Sequence, residues 1–429
     1  MHGHHLTSEE VVPLRGKAAA HRREPSRGGL LVATWAAALA LFGGLSTPIG
    51  STASPPRSAG VEQQGRGPQA TPTPRGTYEG QINPDGYTSA RQCGECHKDI
   101  YNSWKKSLHS FSLQDPIFDA AFMQALKAGG EEARRTCLCC YAPVVVVIGD
   151  YDLRDGLTRE GVTCDFCHSV TAVHLDDREK PYSSKPGLVK RGVIKGAVSP
   201  AHQVAYSELH TTSEFCGGCH NYTTKYGAAV LSTYDEWLAG PYAREGVQCQ
   251  HCHMVLSAGK VVEPQVMKTA PTIHLHDLIH DSDQLRSALS VEVTRARRTG
   301  DGLVVDLVVE NVGSGHRVPT GIPSRRVVLT VTVEGDGELQ TRERTYQKIV
   351  ANEKKRPLEN DFEALLWGAM ILNNTRIAPR EKRAERFTFR LPRAEGVKVT
   401  ATLSYRYSAL ILRDNQLDIK LGEAERFVP

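Results

Sequence analysis

Four short motifs in the sequence combine two cysteines with a histidine at a fixed spacing. They read CGECH, CDFCH, CGGCH and CQHCH, and each has the pattern C-x-x-C-H. This pattern is the attachment signature of c-type haem, in which both thiols bond to the porphyrin and the adjacent histidine binds the iron. The motifs therefore predict four covalently bound haems. Their cysteines are Cys93, Cys96, Cys164, Cys167, Cys216, Cys219, Cys249 and Cys252, and their histidines are His97, His168, His220 and His253.

A fifth cysteine pair, in the stretch RTCLCCYAP, departs from this pattern. Cys137 and Cys140 have the spacing of haem-attachment cysteines, but Tyr141 stands where the histidine is expected. Three interpretations are open. A haem is attached and its iron takes another ligand, such as the Tyr141 phenolate; or the site is empty, with free thiols or a strained disulfide; or a sequence change has altered one site in an otherwise intact series. Cys139 is left over, and we expect a small buried side chain there.

Disulfides and zinc are the alternative uses of so many cysteines. Exported proteins form disulfides, and paired cysteines with histidine can bind zinc. Neither alternative explains why a histidine directly follows the second cysteine in four separate motifs. Haem c is therefore the expected cofactor, at four sites and, depending on the Tyr141 position, at a fifth.

An electron-carrying haem usually has two axial ligands, so each motif histidine calls for a distal partner. Nine further histidines lie outside the N-terminal region and the motifs: His109, His174, His202, His210, His251, His274, His276, His280 and His316. Among them we favour His109, His210, His276 and His316 as iron ligands. His251, inside the last motif, is expected to be a spectator that does not bind iron. Met254 is an alternative iron ligand, and it would raise the reduction potential of its haem.

The N-terminal segment 1–53 has the composition of an export signal. A basic stretch precedes the uncharged apolar run 30–45, and small residues follow up to Ala53. This segment predicts export to the periplasm or the cell exterior. Left uncleaved, it would anchor the protein in the membrane. Residues 54–86 are rich in Pro, Gly, Ser, Gln and Thr and predict a disordered linker.

Residues 87–282 carry all five cysteine pairs and resemble the multihaem c-type cytochromes of the cytochrome c-554 type. The resemblance rests on ARQCGECHKDIYNSWKKSLHS, EGVTCDFCHSV, SEFCGGCHN and EGVQCQHCHM, and it fails at Tyr141. It implies closely stacked haems, mostly bis-histidine ligation and a role in electron transfer. It also implies that one iron can be five-coordinate, and that relatives in the wider group act on small nitrogen or sulfur compounds.

The haem segment is expected to consist mostly of short helices and loops, because the haems themselves would form its core. One helix is marked by its ends, in the stretch DPIFDAAFMQALKAGG. Asp115 is placed to cap it, Pro116 suits its first position, and Gly129 is expected to end it.

From residue 286 to 429 the apolar residues follow a period of two and cysteines are absent. The stretches GLVVDLVVEN, RVVLTVTVEG, RFTFRLP and VKVTATLSYRY predict an antiparallel β-sandwich, immunoglobulin-like in outline, of a kind that is also appended to some of these cytochromes. The fold class is therefore α+β multidomain. The loop 311–326 is rich in Gly and Pro and is predicted to present His316 either to solvent or to a haem iron across the domain boundary. The stretch NDFEALLWGAMILNN is compatible with a helix or a strand.

The charge pattern does not favour nucleic acid. The formal net charge is +4, basic residues are scattered, and two propionates on each haem would make the mature protein acidic. The leading hypothesis is an exported electron-transfer cytochrome without catalytic residues, with redox proteins as donor and acceptor. The alternatives are an oxidoreductase acting on a small nitrogen or sulfur compound at the Tyr141 site, and a subunit of an extracellular cytochrome filament.

Overall fold

The computed structural model describes residues 82–263, 271–278, 282–300, 302–391, 396–408 and 416–429. These residues belong to one compact unit. The predicted export signal and linker up to residue 81 lie outside the described residues, as does His280. Within the described ranges, no helix combines the length and apolar composition that crossing a membrane requires.

The cysteine-bearing part of the chain is built from short helices, as expected, joined by loops and two-stranded ribbons. The helices are α1 (Ala90–Cys96), α2 (Lys98–Trp104), α3 (Pro116–Tyr141), α4 (Val144–Ile148), α5 (Cys164–Ser169), α6 (Glu214–His220), α7 (Thr233–Leu238), α8 (Pro241–Arg244) and α9 (Cys249–His253). The ribbon strands are β1 (Val170–Val173), β2 (Tyr182–Ser184), β3 (Val189–Gly192), β4 (Gln203–Tyr206), β5 (Asn221–Thr223), β6 (Ala229–Ser232), β7 (Leu256–Ala258) and β8 (Thr272–His274). They pair as β1 with β2, β3 with β4, β5 with β6 and β7 with β8, and only the β3–β4 pair is parallel.

Helix α3 begins as predicted, but the prediction that it ends at Gly129 is wrong. The Asp115 carboxylate accepts a hydrogen bond from the Ile117 amide at 2.9 Å, and Pro116 occupies the first turn. The helix breaks at Gly130, whose φ of 54° lies in the left-handed region, and a second helical stretch starts directly after it. A glycine can therefore bend a helix without ending the helical run. The second stretch carries Cys137, Cys140 and Tyr141.

The C-terminal part is a two-sheet antiparallel sandwich, which confirms the fold expected from the period-two pattern. Helix α10 (Ser282–Ala288) leads into its strands. The strands and one further helix are β9 (Leu289–Thr299), β10 (Gly302–Asn311), β11 (Arg325–Gly335), β12 (Glu338–Tyr346), β13 (Lys348–Ala351), α11 (Asp361–Trp367), β14 (Met370–Asn374), β15 (Lys382–Arg390), β16 (Val397–Tyr407) and β17 (Leu417–Val428). One sheet has the order β15-β10-β9 and the other β12-β11-β16-β17.

Strict alternation in the sandwich strands buries one face of each sheet. On β10, Leu303, Val305, Leu307 and Val309 are at most 1% exposed while the residues between them are half-buried. On β16 the alternate residues from Val397 to Tyr407 are buried in the same way. These side chains meet between the two sheets in one apolar core, whose burial is the main favourable contribution to folding.

One excursion of the C-terminal chain leaves the sandwich and packs on the cysteine-bearing part. It comprises β13, α11 and β14, so the ambiguous stretch NDFEALLWGAMILNN forms both a helix and a strand. Val350 and Ala364 of the excursion share a buried cluster with Ala228 and Val230, and Leu366 packs against Ala133 of α3. The excursion thus joins the two parts of the chain through apolar contacts.

Candidate haem-binding site

Each of the four complete motifs lies on a short helix. The cysteine pairs sit on α1, α5, α6 and α9, and in each case the histidine ends the helix, follows it directly, or lies in its last turn. Residues three apart share one face of a helix, so both thiols of a pair point to the same side. All 11 cysteines lie in the described ranges, and none forms a disulfide. The disulfide alternative therefore has no support in the structure.

His97 faces His202 across a gap between two imidazole rings. The ring centroids are 6.2 Å apart. His97 Nδ1 lies 2.5 Å from the Val261 carbonyl and His202 Nδ1 lies 3.0 Å from the Gln203 carbonyl. In that arrangement each Nδ1–H donates to a carbonyl, and the Nε2 lone pair is left for a metal. His202 directly precedes β4, so the parallel β3–β4 pair places it.

His220 faces His109 at the same separation, with ring centroids 6.2 Å apart. Burial lowers the pKa of His109 to about 4 and that of His220 to about 3. Both imidazoles are therefore neutral at pH 7, which is the state that binds a metal. His109 was favoured from the sequence, and the structure places it opposite a motif histidine.

His168 has two histidine neighbours, and their hydrogen bonds distinguish them. The centroid of His276 lies 6.4 Å away and that of His210 lies 5.8 Å away. His210 Nε2 lies 2.9 Å from the Cys167 carbonyl and its Nδ1 lies 2.8 Å from the Ser207 hydroxyl, so both nitrogens are engaged. Among the described residues, the His276 ring is hydrogen-bonded through Nδ1 alone, which donates to the His274 carbonyl at 2.8 Å. The available lone pair is therefore on His276.

His276 is held in place by helix α2. The backbone amides of His276 and Asp277 both donate to the Ser103 hydroxyl, at 2.7 and 2.9 Å. Ser103 is buried. Burial lowers the pKa of His276 to about 4, so this imidazole is neutral at pH 7.

His253 faces His316, which the loop after β10 contributes from the C-terminal part. Their ring centroids are 6.4 Å apart and the ring planes are 11° from parallel. His316 Nδ1 lies 3.0 Å from both the Arg317 carbonyl and the Ser314 hydroxyl. The loop that the sequence singled out thus brings its histidine to the last motif.

The spacing of these pairs suits an iron between two imidazoles. With an iron–nitrogen distance of about 2 Å on each side and each ring centroid about 1.1 Å beyond its nitrogen, the centroids would be about 6.2 Å apart. The four pairs measure 6.2, 6.2, 6.4 and 6.4 Å. Among the described residues, no three His, Cys, Asp or Glu side chains converge as they would around a zinc ion. The donor set fits haem better than zinc.

Two buried arginine atoms also fit a haem. Arg191 Nη1 and Arg325 Nε are buried and have no hydrogen-bond partner among the described residues. The positive charge of Arg191 acts on His210, and that of Arg325 acts on His220. Guanidinium groups pair with carboxylates, and each haem carries two propionates. The propionates of haems bound at the histidine pairs would therefore be suitable acceptors for these two nitrogen atoms.

The fifth site differs from the others in its surroundings. The Tyr141 ring stacks on Phe118 with centroids 3.9 Å apart, and no ring contact joins it to a histidine among the described residues. Arg325 and Asp361 are charged neighbours of its phenol. Burial raises the pKa of the Cys137 thiol to about 12, so this sulfur is a thiol at pH 7. Cys139 is buried, as predicted, with its Sγ 3.6 Å from that of Cys140.

Cysteines of different motifs lie next to one another. Cys93 contacts Cys164, Cys216 contacts Cys249, and Cys140 contacts Cys219 through their side chains. These contacts bring the CGECH and CDFCH motifs together, and they bring the CGGCH motif to both the CQHCH motif and the Cys137–Cys140 pair.

The remaining histidines have other roles in the structure. His251 Nδ1 accepts a hydrogen bond from the Gln248 amide at 2.8 Å and caps α9, which agrees with the spectator role expected for it. His174 Nε2 lies 2.8 Å from the Ser183 hydroxyl, and His274 Nδ1 lies 2.8 Å from the Met254 carbonyl. Sequence reasoning did not favour His202. Its signal was weak, because nothing in its local sequence separates it from His210.

Comparisons with known proteins agree with this geometry. Residues 92–169 match the family described as cytochrome c554 and c-prime. The chain is similar to the structure of a penta-haem cytochrome c552 from Thermochromatium tepidum, with 19% identity and a TM-score of 0.64, over 80% of this chain and 99% of that one. A CARDB domain from Pyrococcus furiosus covers 33% of this chain and 84% of its own at 15% identity, but its TM-score of 0.17 supports no argument. No curated protein matches the chain.

Proposed function

We propose that the chain is an exported multihaem c-type cytochrome that carries electrons between redox partner proteins. The match of residues 92–169 to the cytochrome c554 family and the fold shared with a penta-haem cytochrome c552 support this proposal. The proposal rests on four histidine pairs whose ring centroids are as far apart as an iron bound between two imidazoles requires. The axial ligand pairs we propose are His97 with His202, His168 with His276, His220 with His109, and His253 with His316. The cysteines of each complete motif hold the corresponding porphyrin.

The bound haem supplies one-electron chemistry, and the chain's own residues limit what else can happen at the iron. At each of the four sites the two facing imidazoles would hold the iron from both sides. A substrate would then have no place to bind, so such a site would store and pass an electron without transforming a small molecule. Carbonyl acceptors on Nδ1 keep the rings of His97 and His168 oriented.

Close contact between motifs supports a continuous path for electrons. The side-chain contact Cys93–Cys164 joins two sites, and the contacts Cys216–Cys249 and Cys140–Cys219 join the other three. Cys167 and Cys219 are close enough to interact electrostatically, and this interaction connects the two groups. Short separations between redox centres are what rapid electron hopping requires. The proposed path runs through the cysteine-bearing part, and the His316 loop extends its last site into the sandwich.

A fifth haem at Cys137 and Cys140 is supported by the penta-haem description of the similar cytochrome c552. Tyr141 stands where the motif histidine is expected, and among the described residues its ring contacts Phe118 and no histidine. The iron at this site would therefore differ from the other four and keep an open position. The positive Arg325 and the carboxyl of Asp361 lie near the phenol. That combination favours the second candidate function, an oxidoreductase acting on a small nitrogen or sulfur compound at this site.

Export is supported by the sequence of segment 1–53, in which an apolar run follows basic residues. Covalent attachment of haem to an unfolded chain after export fits the same segment. The proposed location is the periplasm or the cell exterior, with the apolar run as a membrane anchor if it is retained.

Protein-film voltammetry on the holoprotein separates the two functions. An electron carrier gives reversible multi-electron waves that do not change when nitrite, hydroxylamine or sulfite is added. An enzyme gives a catalytic current with one of these compounds. A catalytic current that disappears on Arg325→Gln substitution would replace the carrier proposal with the oxidoreductase one.

A further inference from the structure

A buried ion pair joins helix α7 to the sandwich next to the His316 loop. Glu236 Oε1 lies 2.7 Å from Arg376 Nη2, and the two side chains are only 6% and 3% exposed. Glu236 lies on α7 in the cysteine-bearing part, and Arg376 follows β14 in the C-terminal part. From this contact we propose that Glu236 is the positioning residue that holds His316 toward His253, and the inference rests on the proposed haem ligation.

The carboxylate of Glu236 contacts the loop directly beside His316. Its Oε2 accepts hydrogen bonds from the Arg317 amide at 3.2 Å and from the Thr320 hydroxyl at 2.9 Å. The Arg317 carbonyl is in turn the acceptor for His316 Nδ1. The amide that binds the Glu236 carboxylate and the carbonyl that orients the His316 imidazole both belong to Arg317. A shift of Glu236 is therefore transmitted to the ring.

Arg376 holds the same loop from the other side. Its Nη1 donates to the Pro319 carbonyl at 3.3 Å, while its own carbonyl accepts a hydrogen bond from Arg317 Nη1 at 3.0 Å. The ion pair and the loop backbone thus form one hydrogen-bonded network. Thr233, at the start of α7, adds a contact of 2.9 Å between its hydroxyl and that of Thr320.

The loop also lies beside α7 and α8. A Cβ placed on Gly315 would be in ordinary van der Waals contact with Tyr242 at 3.6 Å and with Trp237 at 3.7 Å. His316 therefore lies between a glycine next to these two rings and a peptide hydrogen-bonded to Glu236. Both restraints come from helices of the cysteine-bearing part, the part that carries His253.

A buried ion pair is weak evidence for stability, because the cost of desolvating two charges offsets their attraction. Its better-supported use is to select one arrangement of the groups around it. Here the satisfied carboxylate accepts from Arg376, from the Ser232 hydroxyl at 2.7 Å and from the loop. We therefore assign it a role in geometry rather than in overall stability.

The test compares Glu236→Gln with Glu245→Gln in the full holoprotein. Glu245, which follows α8, forms an ion pair with Arg380 of the sandwich, with 2.6 Å between Oε1 and Nη1. It is the control because this pair also joins the two parts of the chain, but its side chains are 46% and 51% exposed. We expect Glu236→Gln to convert one low-spin ferric signal to high-spin in electron paramagnetic resonance and to shift one midpoint potential. Added imidazole should restore that low-spin signal. Glu245→Gln should leave every signal in place.

The outcomes distinguish this inference from the proposed function. If the unaltered protein has low-spin haems and Glu236→Gln keeps all of them with unchanged potentials, the positioning role is refuted and the electron-carrier proposal stands. If the unaltered protein lacks the low-spin haem of His253 and His316, the ligand assignment itself fails. Glu236→Asp, which keeps the charge, provides a second variant should Glu236→Gln fold poorly, and it should shift the same potential by less.

Discussion

The imidazole rings of His253 and His316 lie nearly parallel, with centroids 6.4 Å apart, although one ends a helix of the cysteine-bearing part and the other belongs to a loop of the sandwich. In the proposed ligation, both parts of the chain therefore contribute a ligand to the last haem site. Docking of the sandwich and completion of that site are therefore coupled.

Replacing His316 with alanine should remove one axial ligand and leave the other sites intact. The expected result is a single new high-spin haem, visible by electron paramagnetic resonance and in the ferric absorption spectrum. His174→Ala is the matched control, because its Nε2 is occupied by the Ser183 hydroxyl. Loss of a low-spin signal in both variants would indicate general misfolding and contradict the specific pairing.

His276 and His210 offer a sharper comparison, since both rings lie near His168. His276→Ala should produce a high-spin haem, because its Nε2 is the one left for the iron. His210→Ala should keep all haems low-spin, because its Nε2 already donates to the Cys167 carbonyl. Magnetic circular dichroism in the near infrared would count the bis-histidine haems in each. The reverse result would assign His210 as the ligand.

Tyr141→His would complete the fifth attachment motif. If haem is already attached through Cys137 and Cys140, as we propose, the substitution should leave the number of haems counted by intact mass unchanged. The potential of the fifth haem should change, because the substitution would place an imidazole where the Tyr141 phenol now stacks on Phe118. A gain of one haem on substitution would instead mean that the native site is empty.

Lys348 should make the free energy of unfolding depend on pH in the neutral to alkaline range. Burial, with the nearby charge of Arg376, lowers its pKa to about 7, although its ammonium contacts the Val230 carbonyl at 2.5 Å and the Ser232 hydroxyl at 3.0 Å. The unfolded chain binds this proton more tightly than the folded one, so stability rises between pH 7 and the ordinary lysine range.

Lys348→Met should flatten that rise, which is on the order of a few kcal/mol. Urea unfolding of the holoprotein at several pH values from 7 to 10 measures it. An unchanged pH profile in the variant would show that Lys348 stays protonated in the folded protein.

Local patterns predicted the parts of this structure that depend on local forces. The four motifs mark their own helices, and alternation marks the sandwich strands, because each is set by a few neighbouring residues. The position of Asp115 as a helix cap is of the same kind. The end of α3 was missed because Gly130 bends the helix and a second helical stretch continues from there to Tyr141.

Pairing of distant histidines is a different problem. His109 and His316 were favoured and lie opposite motif histidines, whereas His202 was not favoured and yet faces His97. Which ring reaches which site depends on the parallel β3–β4 pair and on the docking of the sandwich. The ion pair and hydrogen bonds that connect Glu236 to Arg376 and to the His316 loop could not be predicted from the sequence either, because these groups come from three separate segments.

The most direct test is a spin count on the fully oxidised holoprotein by electron paramagnetic resonance, with the number of haems per chain fixed by intact mass. We expect four low-spin bis-histidine haems and one further haem that is not of this type. Fewer than four low-spin haems, or a chain whose mass shows no covalent haem at the four complete motifs, would contradict the proposed ligation.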